Sequence, residues 1–244
     1  MKKSLLTLAL IGTLGLSTNT FAYEKGDWLL RVGLTNVSPD ASSSPILAGD
    51  LDLGQALPSV GTSLTVDVDN NTQLGINIAY FVTDNINVEL LAATPFKHDI
   101  EFVAGKLGET SHLPPSLTAN YFFLDSSSKF QPYVGAGLNY TIFFDEDFDD
   151  GAVTTIETLT QNDLGAAATV SNLDLDGSFG LTFQVGFDYE VSDGIYVNAS
   201  VRYIDIETDA TFDIAGVPAI ATTGSIETVD IDPFVYTISA GYKF

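Results

Sequence analysis

Asn70–Asp99 has the sequence NNTQLGINIAYFVTDNINVELLAATPFKHD, with an apolar residue at nearly every second position. The alternation is interrupted once, at the short segment Thr83-Asp84-Asn85. Because successive residues of a strand point to opposite faces of a sheet, the pattern predicts a hairpin with one apolar and one mostly polar face. A soluble sandwich would bury the apolar face, whereas a transmembrane barrel would turn it towards lipid.

The first residues have the composition of a secretory signal. Lys2 and Lys3 form a basic start, and Leu5–Leu16 is apolar but too short to cross a bilayer as a helix. Small residues at Thr20 and Ala22 suit cleavage by a signal peptidase. We therefore predict a signal peptide at residues 1–22 and a single all-β domain at residues 23–244.

Composition excludes several classes of function. The formal charge is −23, and removal of Lys2 and Lys3 leaves seven basic against 32 acidic residues, or −25. Nucleic acid is excluded as a partner because a phosphate-binding surface needs clustered Lys and Arg. The chain has no Cys, so its stability must come from sheet hydrogen bonding and burial. Beyond the signal, no apolar run has the length of a transmembrane helix.

Eight segments of the mature chain alternate with period two, and the longest alternation would be unusual in a soluble sandwich. Besides the two arms of the hairpin, the predicted strands are Lys25–Val37, Ser116–Leu124, Phe130–Phe143, Leu173–Glu190, Ile195–Ile206 and Thr228–Phe244. Inward glycines in Phe130–Phe143 fit a strongly curved sheet.

The connections between these strands alternate between long and short. The long ones are Ser38–Asp69, with a ragged strand extension at Ser63–Val68, Pro95–Pro115, Phe144–Asn172, with a short helix at Leu159–Val170, and Glu207–Glu227. This alternation predicts an eight-stranded antiparallel transmembrane β-barrel with long extracellular loops and short periplasmic turns. Such a barrel lies in the outer membrane of a Gram-negative cell, among its lipid and lipopolysaccharide, with both termini periplasmic.

Aromatic residues lie near the predicted strand ends, where membrane barrels carry their girdles. They are Tyr80, Tyr121, Tyr140, Tyr189, Tyr203, Tyr236, Tyr242 and Phe244. The terminal Phe244, preceded by alternating apolar residues, is similar to the signal read by the barrel-assembly machinery.

The lumen of an eight-stranded barrel is just wide enough for its own side chains, which excludes a wide aqueous pore. The predicted inward charges are Arg31, Glu89, Asp188, Glu190, Arg202 and Lys243. Buried charges should pair. We expect Arg31 and Arg202 to face Glu89, with Lys243 near Asp188 or Glu190, so that ion pairs close the lower lumen.

An apolar solute would then need a pocket in the extracellular half and a sideways exit through the wall. We predict that the pocket floor includes Leu91, with Phe81 and Phe122 nearby, and that Arg202 lies at the constriction. Small apolar solutes are the predicted ligands. The alternative is a plugged barrel that only displays its loops to a phage, a bacteriocin or lipopolysaccharide.

Three further groups of residues were weighed as sites. His98, Asp99 and His112 lack the converging spacing of a metal site, so we predict a structural or solvent-exposed role and no cofactor. Glu109, Ser111 and His112 would form a lipid-modifying triad, but neighbouring residues of an extended chain point apart, so we predict no enzyme. The acidic run Asp145–Asp150 is a candidate for Ca²⁺ or Mg²⁺ that bridges lipopolysaccharide phosphates, although a solvated surface is favoured.

Several stretches resemble the OmpW family of small outer-membrane proteins, which includes the AlkL-type alkane uptake channels. The matching stretches are Asn70–Phe96, His112–Phe123, Ser128–Phe144, Gln184–Tyr189, Tyr203–Thr208 and Asp232–Phe244. The resemblance implies a monomeric eight-stranded barrel that passes small hydrophobic molecules, and some members are receptors for bacteriocins or phage. It also implies a Leu at position 91 and an aromatic residue at position 202. Arg202 departs from that pattern and makes the constriction polar.

Overall fold

The chain is described from a computed structural model that covers residues 22–218 and 220–244. The predicted signal peptide lies outside these residues, apart from Ala22. The described part forms strands β1 Trp28–Ser38, β2 Ser42–Ser43, β3 Ile46–Ala48, β4 Leu51–Asp52, β5 Asp67–Val68, β6 Asn71–Phe81, β7 Ile86–Ala93, β8 Phe96–Phe102, β9 Gly105–Leu113, β10 Ser116–Phe122, β11 Phe130–Phe148, β12 Thr169–Leu175, β13 Ser178–Ser192, β14 Ile195–Ile204, β15 Glu207–Ala215, β16 Thr223–Asp230 and β17 Phe234–Lys243. Its helices are α1 Leu53–Ala56 and α2 Asp150–Leu164.

Eight of these strands close into an antiparallel barrel. The order around the wall is β1, β6, β7, β10, β11, β13, β14 and β17, and β17 pairs back onto β1. The closing ladder runs from Leu29↔Lys243 to Ser38↔Phe234. The predicted eight-stranded barrel is therefore confirmed.

The outer face of the barrel is apolar, as the period-two alternation predicted. Phe179 and Ile238 each leave 69% of their surface exposed, which suits contact with lipid chains rather than water. Aromatic pairs occupy strand ends: the rings of Trp28 and Tyr80 lie 5.0 Å apart, and those of Tyr203 and Phe234 lie 5.8 Å apart. Among the described residues, neither helix has the length and apolar character needed to cross a membrane.

The extracellular half is more ordered than the sequence analysis predicted. Pro95–Pro115 contains the hairpin β8–β9, which pairs with β11, and Glu207–Glu227 contains β15 and the first five residues of its partner β16. The prediction that both segments are loops is wrong, because both form paired strands. Alternate residues of β15 are buried. The sixth predicted strand is also divided, because β12 pairs with β15 while β13 begins the barrel wall at Ser178.

These extracellular strands enclose a hydrophobic core of their own, covered by α2. The side chain of Asp149 accepts hydrogen bonds from the backbone N–H groups of Gly151 and Ala152, and therefore caps the start of α2. Gly165, at φ 76°, ends it. The predicted helix at Leu159–Val170 overlaps only the second part of α2. The acidic residues before it are predicted to be a solvated run, whereas the last of them form the start of the helix.

Candidate functional site

A network of buried charges crosses the lumen of the barrel. Arg31 Nη1 lies 2.5 Å from Glu89 Oε2, and Arg31 Nε and Nη2 donate to the two oxygens of Asp188 at 3.0 and 2.5 Å. Arg202 Nη2 lies 2.8 Å from Glu89 Oε1. Two cations thus face two anions, all of them buried, so the cluster carries no net charge and its members compensate one another.

Amide side chains add further hydrogen bonds to this cluster. Gln184 accepts from Arg202 Nη2 at 2.6 Å and donates to Glu89 Oε1 at 3.1 Å. Asn198 donates to Asp188 Oδ1 at 2.9 Å. In contrast, Nη1 of Arg202 is buried with no protein partner. The chain of ion pairs and amides therefore spans the lumen at this level.

Some of the predicted inward charges belong to this cluster, and others lie elsewhere in the barrel. Arg31 and Arg202 face Glu89 as expected. Asp188 binds Arg31, and Lys243 Nζ lies 3.4 Å from Asp27 Oδ2. Glu190 is buried where β13 pairs with β14, opposite Tyr196. Register decides these pairings, and register cannot be obtained from face assignments alone.

Below the ion pairs, aromatic rings close the periplasmic end. The ring of Tyr23 lies 4.2 Å from that of Phe81 and 5.1 Å from those of Phe122 and Tyr196. Its hydroxyl donates to Asp188 Oδ2 at 2.6 Å. Sequence reasoning missed Tyr23, because it precedes the first strand and belongs to no alternating pattern.

This aromatic cluster corrects the predicted position of Phe81 and Phe122. Both point inward, but they pack with Tyr23 in the periplasmic aromatic cluster, to which Leu91 does not belong. The reason is strand direction. Each of them is the last residue of a strand that runs towards a short periplasmic turn, whereas Leu91 comes late in a strand that runs away from one.

A break in the wall lies next to Leu91. The pairing of β7 with β10 ends at Leu91↔Ser116, and pairing resumes between β8 and β9 at Phe96↔His112. Between these pairs, residues 92–95 face residues 113–115, so four residues oppose three. The residue numbers of a pair add up to 207 below the break and to 208 from Phe96↔His112 to Ile100↔Gly108 above it, which is a register offset of one. We call residues 92–95 and 113–115 the seam.

Prolines explain why the seam is unpaired. Pro95, Pro114 and Pro115 have no backbone N–H, so three of the seven seam residues cannot donate to a ladder. On its other side the proline arm is tied to the barrel, because Tyr140 N donates to the carbonyl of Pro115 at 3.2 Å. The gap in hydrogen bonding therefore lies between the β7–β8 arm and the β9–β10 arm.

Two apolar cavities lie on the extracellular side of the ion pairs. The first has a cavity volume of about 40 Å³ and the second of about 70 Å³. Leu107, Leu173 and Ile226 contribute to the walls of both, so the cavities adjoin. His98 and His112 line the first cavity, and His112 belongs to the first pair above the seam. Neither Leu91 nor any described seam residue lines these two cavities, so the predicted pocket floor at Leu91 is not found there, but the apolar space extends to His112 in the residue pair next to the seam.

His98 and His112 are buried side by side against this apolar space. They are 2% and 4% exposed, and their rings lie 4.9 Å apart. Burial lowers the pKa of both, that of His112 to about 3, so both rings are neutral at neutral pH. The predicted alternative of solvent-exposed histidines is wrong, because β8 and β9 turn both rings inward.

Among the described residues, the geometry supports neither the lipid-modifying triad nor a metal site. Lys106 and Lys97 hold Glu109 at 2.8 and 2.6 Å and lower its pKa to about 2, so its carboxylate does not serve His112 as a triad would require. Within the described ranges, no group of three or more His, Cys, Asp or Glu side chains is placed to hold a metal ion. In the acidic run, Asp149 instead caps α2.

Comparison with known proteins gives consistent matches over nearly the whole chain. Outer membrane protein W of Vibrio cholerae is 42% identical over 250 residues and is covered completely, as is this chain. Outer membrane protein AlkL of Ectopseudomonas oleovorans is 29% identical, over 91% of this chain and 84% of its own length. The crystal structure of OprG from Pseudomonas aeruginosa superposes with a TM-score of 0.76 at 35% identity, over 91% of this chain and 98% of that one.

The family model described as "OmpW family" matches residues 24–244, which is almost the entire mature barrel predicted from the sequence. These relatives are outer-membrane barrels, and the location in the Gram-negative outer membrane follows for this chain. The sequence, the closed eight-stranded wall and these matches agree, and the chain belongs to the OmpW family of outer-membrane proteins.

Proposed function

We propose that this barrel passes small hydrophobic molecules from the cell exterior into the outer membrane, through the extracellular apolar cavities and then sideways through the seam. The observation that carries the proposal is the order of three features along the barrel. An apolar space lies outermost, a break in the wall adjoins it, and a neutral plug of ion pairs closes the lumen below. The family resemblance also implies transport of hydrophobic molecules.

A sideways route fits the physical chemistry better than a straight one. Crossing the lumen would require an apolar solute to displace Arg31, Glu89 and Asp188 from one another, which exposes buried charges to an apolar neighbour. Leaving through the seam breaks no backbone pairing between the two arms, since the ladder is already interrupted there. The solute then enters a lipid phase in which it dissolves.

Uptake by vesicles tests this proposal. Because an alkane dissolves readily in phospholipid, the vesicles should carry lipopolysaccharide in their outer leaflet, and n-octane entry is measured with and without the refolded protein. Leu91 lies beside the seam and is 4% exposed. Leu91→Asp places a carboxylate on the route and should abolish the protein-dependent uptake, whereas Leu91→Met keeps an apolar side chain of similar volume and should preserve it. Uptake equal in Leu91→Asp and the wild type would refute the route.

The plugged lumen also favours a second candidate, in which the barrel only displays its extracellular half. That half is a folded unit with its own core and not a set of loose loops, as a recognition surface requires. The same vesicles separate the two. If the wild type admits n-octane no faster than a closed barrel of equal strand number, display is supported and the transport route is refuted.

A further inference from the structure

The two extracellular cavities are too small for the solutes that the barrel is proposed to carry. Their volumes are about 40 and 70 Å³, whereas an apolar cavity of about 150 Å³ holds one benzene molecule. None of the seven seam residues, all of which are described, lines either cavity. This conformation is therefore closed to such a solute, and part of the wall between the first cavity and the seam must move before the solute passes.

Four aromatic rings pack together where the first cavity comes nearest to the seam. His98, His112 and Phe143 line the cavity. The ring of His112 is central, because its centroid lies 5.5 Å from that of Phe96 and 5.8 Å from that of Phe143. Phe96 is 1% exposed, does not line the cavity, and directly follows Pro95, the last seam residue of its arm. A solute that moves from the cavity to the seam therefore meets His112 first and Phe96 second.

The rings differ in how they are anchored. Nδ1 of His98 lies 2.6 Å from the backbone carbonyl oxygen of Asp69, and a carbonyl oxygen only accepts, so this ring donates a hydrogen bond to the segment after β5. The backbone N–H of Asp99 donates to Asp69 Oδ1 at 2.8 Å and ties β8 to the same segment. Nδ1 of His112 is buried with no partner among the described residues, and the ring of Phe96 has no polar atom. Phe96 is therefore held by packing alone, and His112 lacks the anchor that His98 has.

The backbone that carries these rings is paired on both sides, which confines a movement to the side chains. His112 of β9 pairs with Phe96 of β8 and with Phe143 of β11. Separation of either ladder would break backbone hydrogen bonds, whereas rotation of a ring into another staggered rotamer breaks only packing contacts. Rotation of Phe96 and His112 is therefore the smallest change that joins the cavity to the seam.

We propose that Phe96 is the gate of the sideways route: its ring closes the passage from the first cavity to the seam, and the passage opens when the rings of Phe96 and His112 turn aside. The inference rests on the proposed function and names the residue that controls its rate. An apolar solute replaces the contacts that the turning ring loses, because it touches the same apolar wall. Water offers no such replacement, so the passage stays closed when no solute is present.

Initial rates of n-octane uptake into the lipopolysaccharide-bearing vesicles test the inference. Phe96→Ala removes the gate ring, Phe96→Leu keeps apolar volume without a ring, and Phe96→Trp enlarges the ring. The matched control is Phe212→Ala, because Phe212 is also a buried ring of the extracellular core but lines only the second cavity. Gel mobility of unheated samples gives the folded fraction to which each rate is normalised. In the wild type, ¹³C relaxation dispersion of the aromatic rings reports their movement without any substitution.

We expect Phe96→Ala to raise the uptake rate at least about fivefold and Phe96→Leu at least about twofold, since weaker packing of the closed state increases the open fraction. Phe96→Trp should lower the rate, and Phe212→Ala should change it by less than about twofold. The rings of Phe96 and His112 should show exchange on the microsecond to millisecond timescale, and the anchored ring of His98 should not.

Three results would overturn the gate while the proposed function stands. The wild type admits n-octane but neither Phe96→Ala nor Phe96→Leu is faster; Phe212→Ala is accelerated as much as Phe96→Ala, so that general loosening explains the rate; or the ring of Phe96 shows no exchange, or no more than that of His98. If neither the wild type nor Phe96→Ala admits n-octane, the proposed function is overturned together with the gate.

Discussion

Removing the central cation of the lumen should destabilise the barrel strongly. Arg31 holds both Glu89 and Asp188, and Arg31→Met leaves Asp188 with the hydrogen bonds of Tyr23 and Asn198 but without its cation. Breaking a buried ion pair by removing one partner costs about 3–5 kcal/mol, because the remaining charge stays desolvated. We expect the free energy of unfolding to fall by that amount.

Arg202→Met is the matched comparison, since Glu89 then keeps Arg31. The variant leaves the carbonyl of Gln184 unpaired and the cluster with one net negative charge, but both carboxylates still contact Arg31, so a smaller loss of about 1–3 kcal/mol is expected. The double variant Arg31→Met with Asp188→Asn should recover part of the Arg31→Met loss, because it removes the stranded carboxylate without changing its shape.

Unfolding in urea, with the protein in phospholipid vesicles, measures these free energies. Trp28 is the single tryptophan and lies on the wall against Tyr80, so its fluorescence reports release from the bilayer. The reasoning is refuted if Arg31→Met is no less stable than Arg202→Met. It is also refuted if Asp188→Asn adds its full separate cost to that of Arg31→Met, since the two sites would then be uncoupled.

Three further predictions concern the aromatic cluster, the buried histidines and a tightly packed glycine. Tyr23→Ala should lower the free energy of unfolding by about 3–5 kcal/mol in the same urea assay, because a packed ring and its bond to Asp188 are lost; a loss no larger than that of the lipid-facing Tyr80→Ala contradicts this. The pKa of His112 is about 3 in the folded chain and about 6.5 in the unfolded chain. The stability of the extracellular half should therefore be highest above pH 6.5 and should fall as the pH drops from 6.5 towards 3. Proteolysis rates measure this, and rates that stay flat over this pH window, or that rise equally steeply in His112→Phe, would exclude a role of His112. A Cβ at Gly137 would lie 2.0 Å from the backbone oxygen of Leu117, so Gly137→Ala should prevent or slow refolding, judged by gel mobility against Ala136→Gly.

Alternation in the sequence was enough to predict the barrel because lipid selects one face of every strand. The face of each side chain follows from its parity, and Leu91, Phe81 and Phe122 were all placed inside correctly on that basis. Their height along the barrel does not follow from parity. It depends on strand direction and on the tilt of the ladder, which is why Phe81 and Phe122 were expected in the pocket and lie at the periplasmic end.

The extracellular half was harder to predict for a different reason. Its strands have polar residues on their outward face and only short apolar stretches. For this reason β8, β9, β15 and β16 have the composition of loops. The close approach of the His98 and His112 rings depends on the register of β8 and β9, and the spacing of the two residues in sequence does not reveal it. The prolines of the seam can be read from the sequence. Only the ladders on either side show that strand pairing is interrupted there.

The one-residue offset at the seam separates two parts of the chain that are free to change independently. The ladder below it fixes which side chains of β7 and β10 meet lipid, and the ladder above it belongs to the β8–β9 hairpin. A change in the length of that hairpin would alter the extracellular half without shifting a strand across the bilayer. The surface that meets the environment can therefore diverge among related chains while the membrane-embedded wall keeps its register.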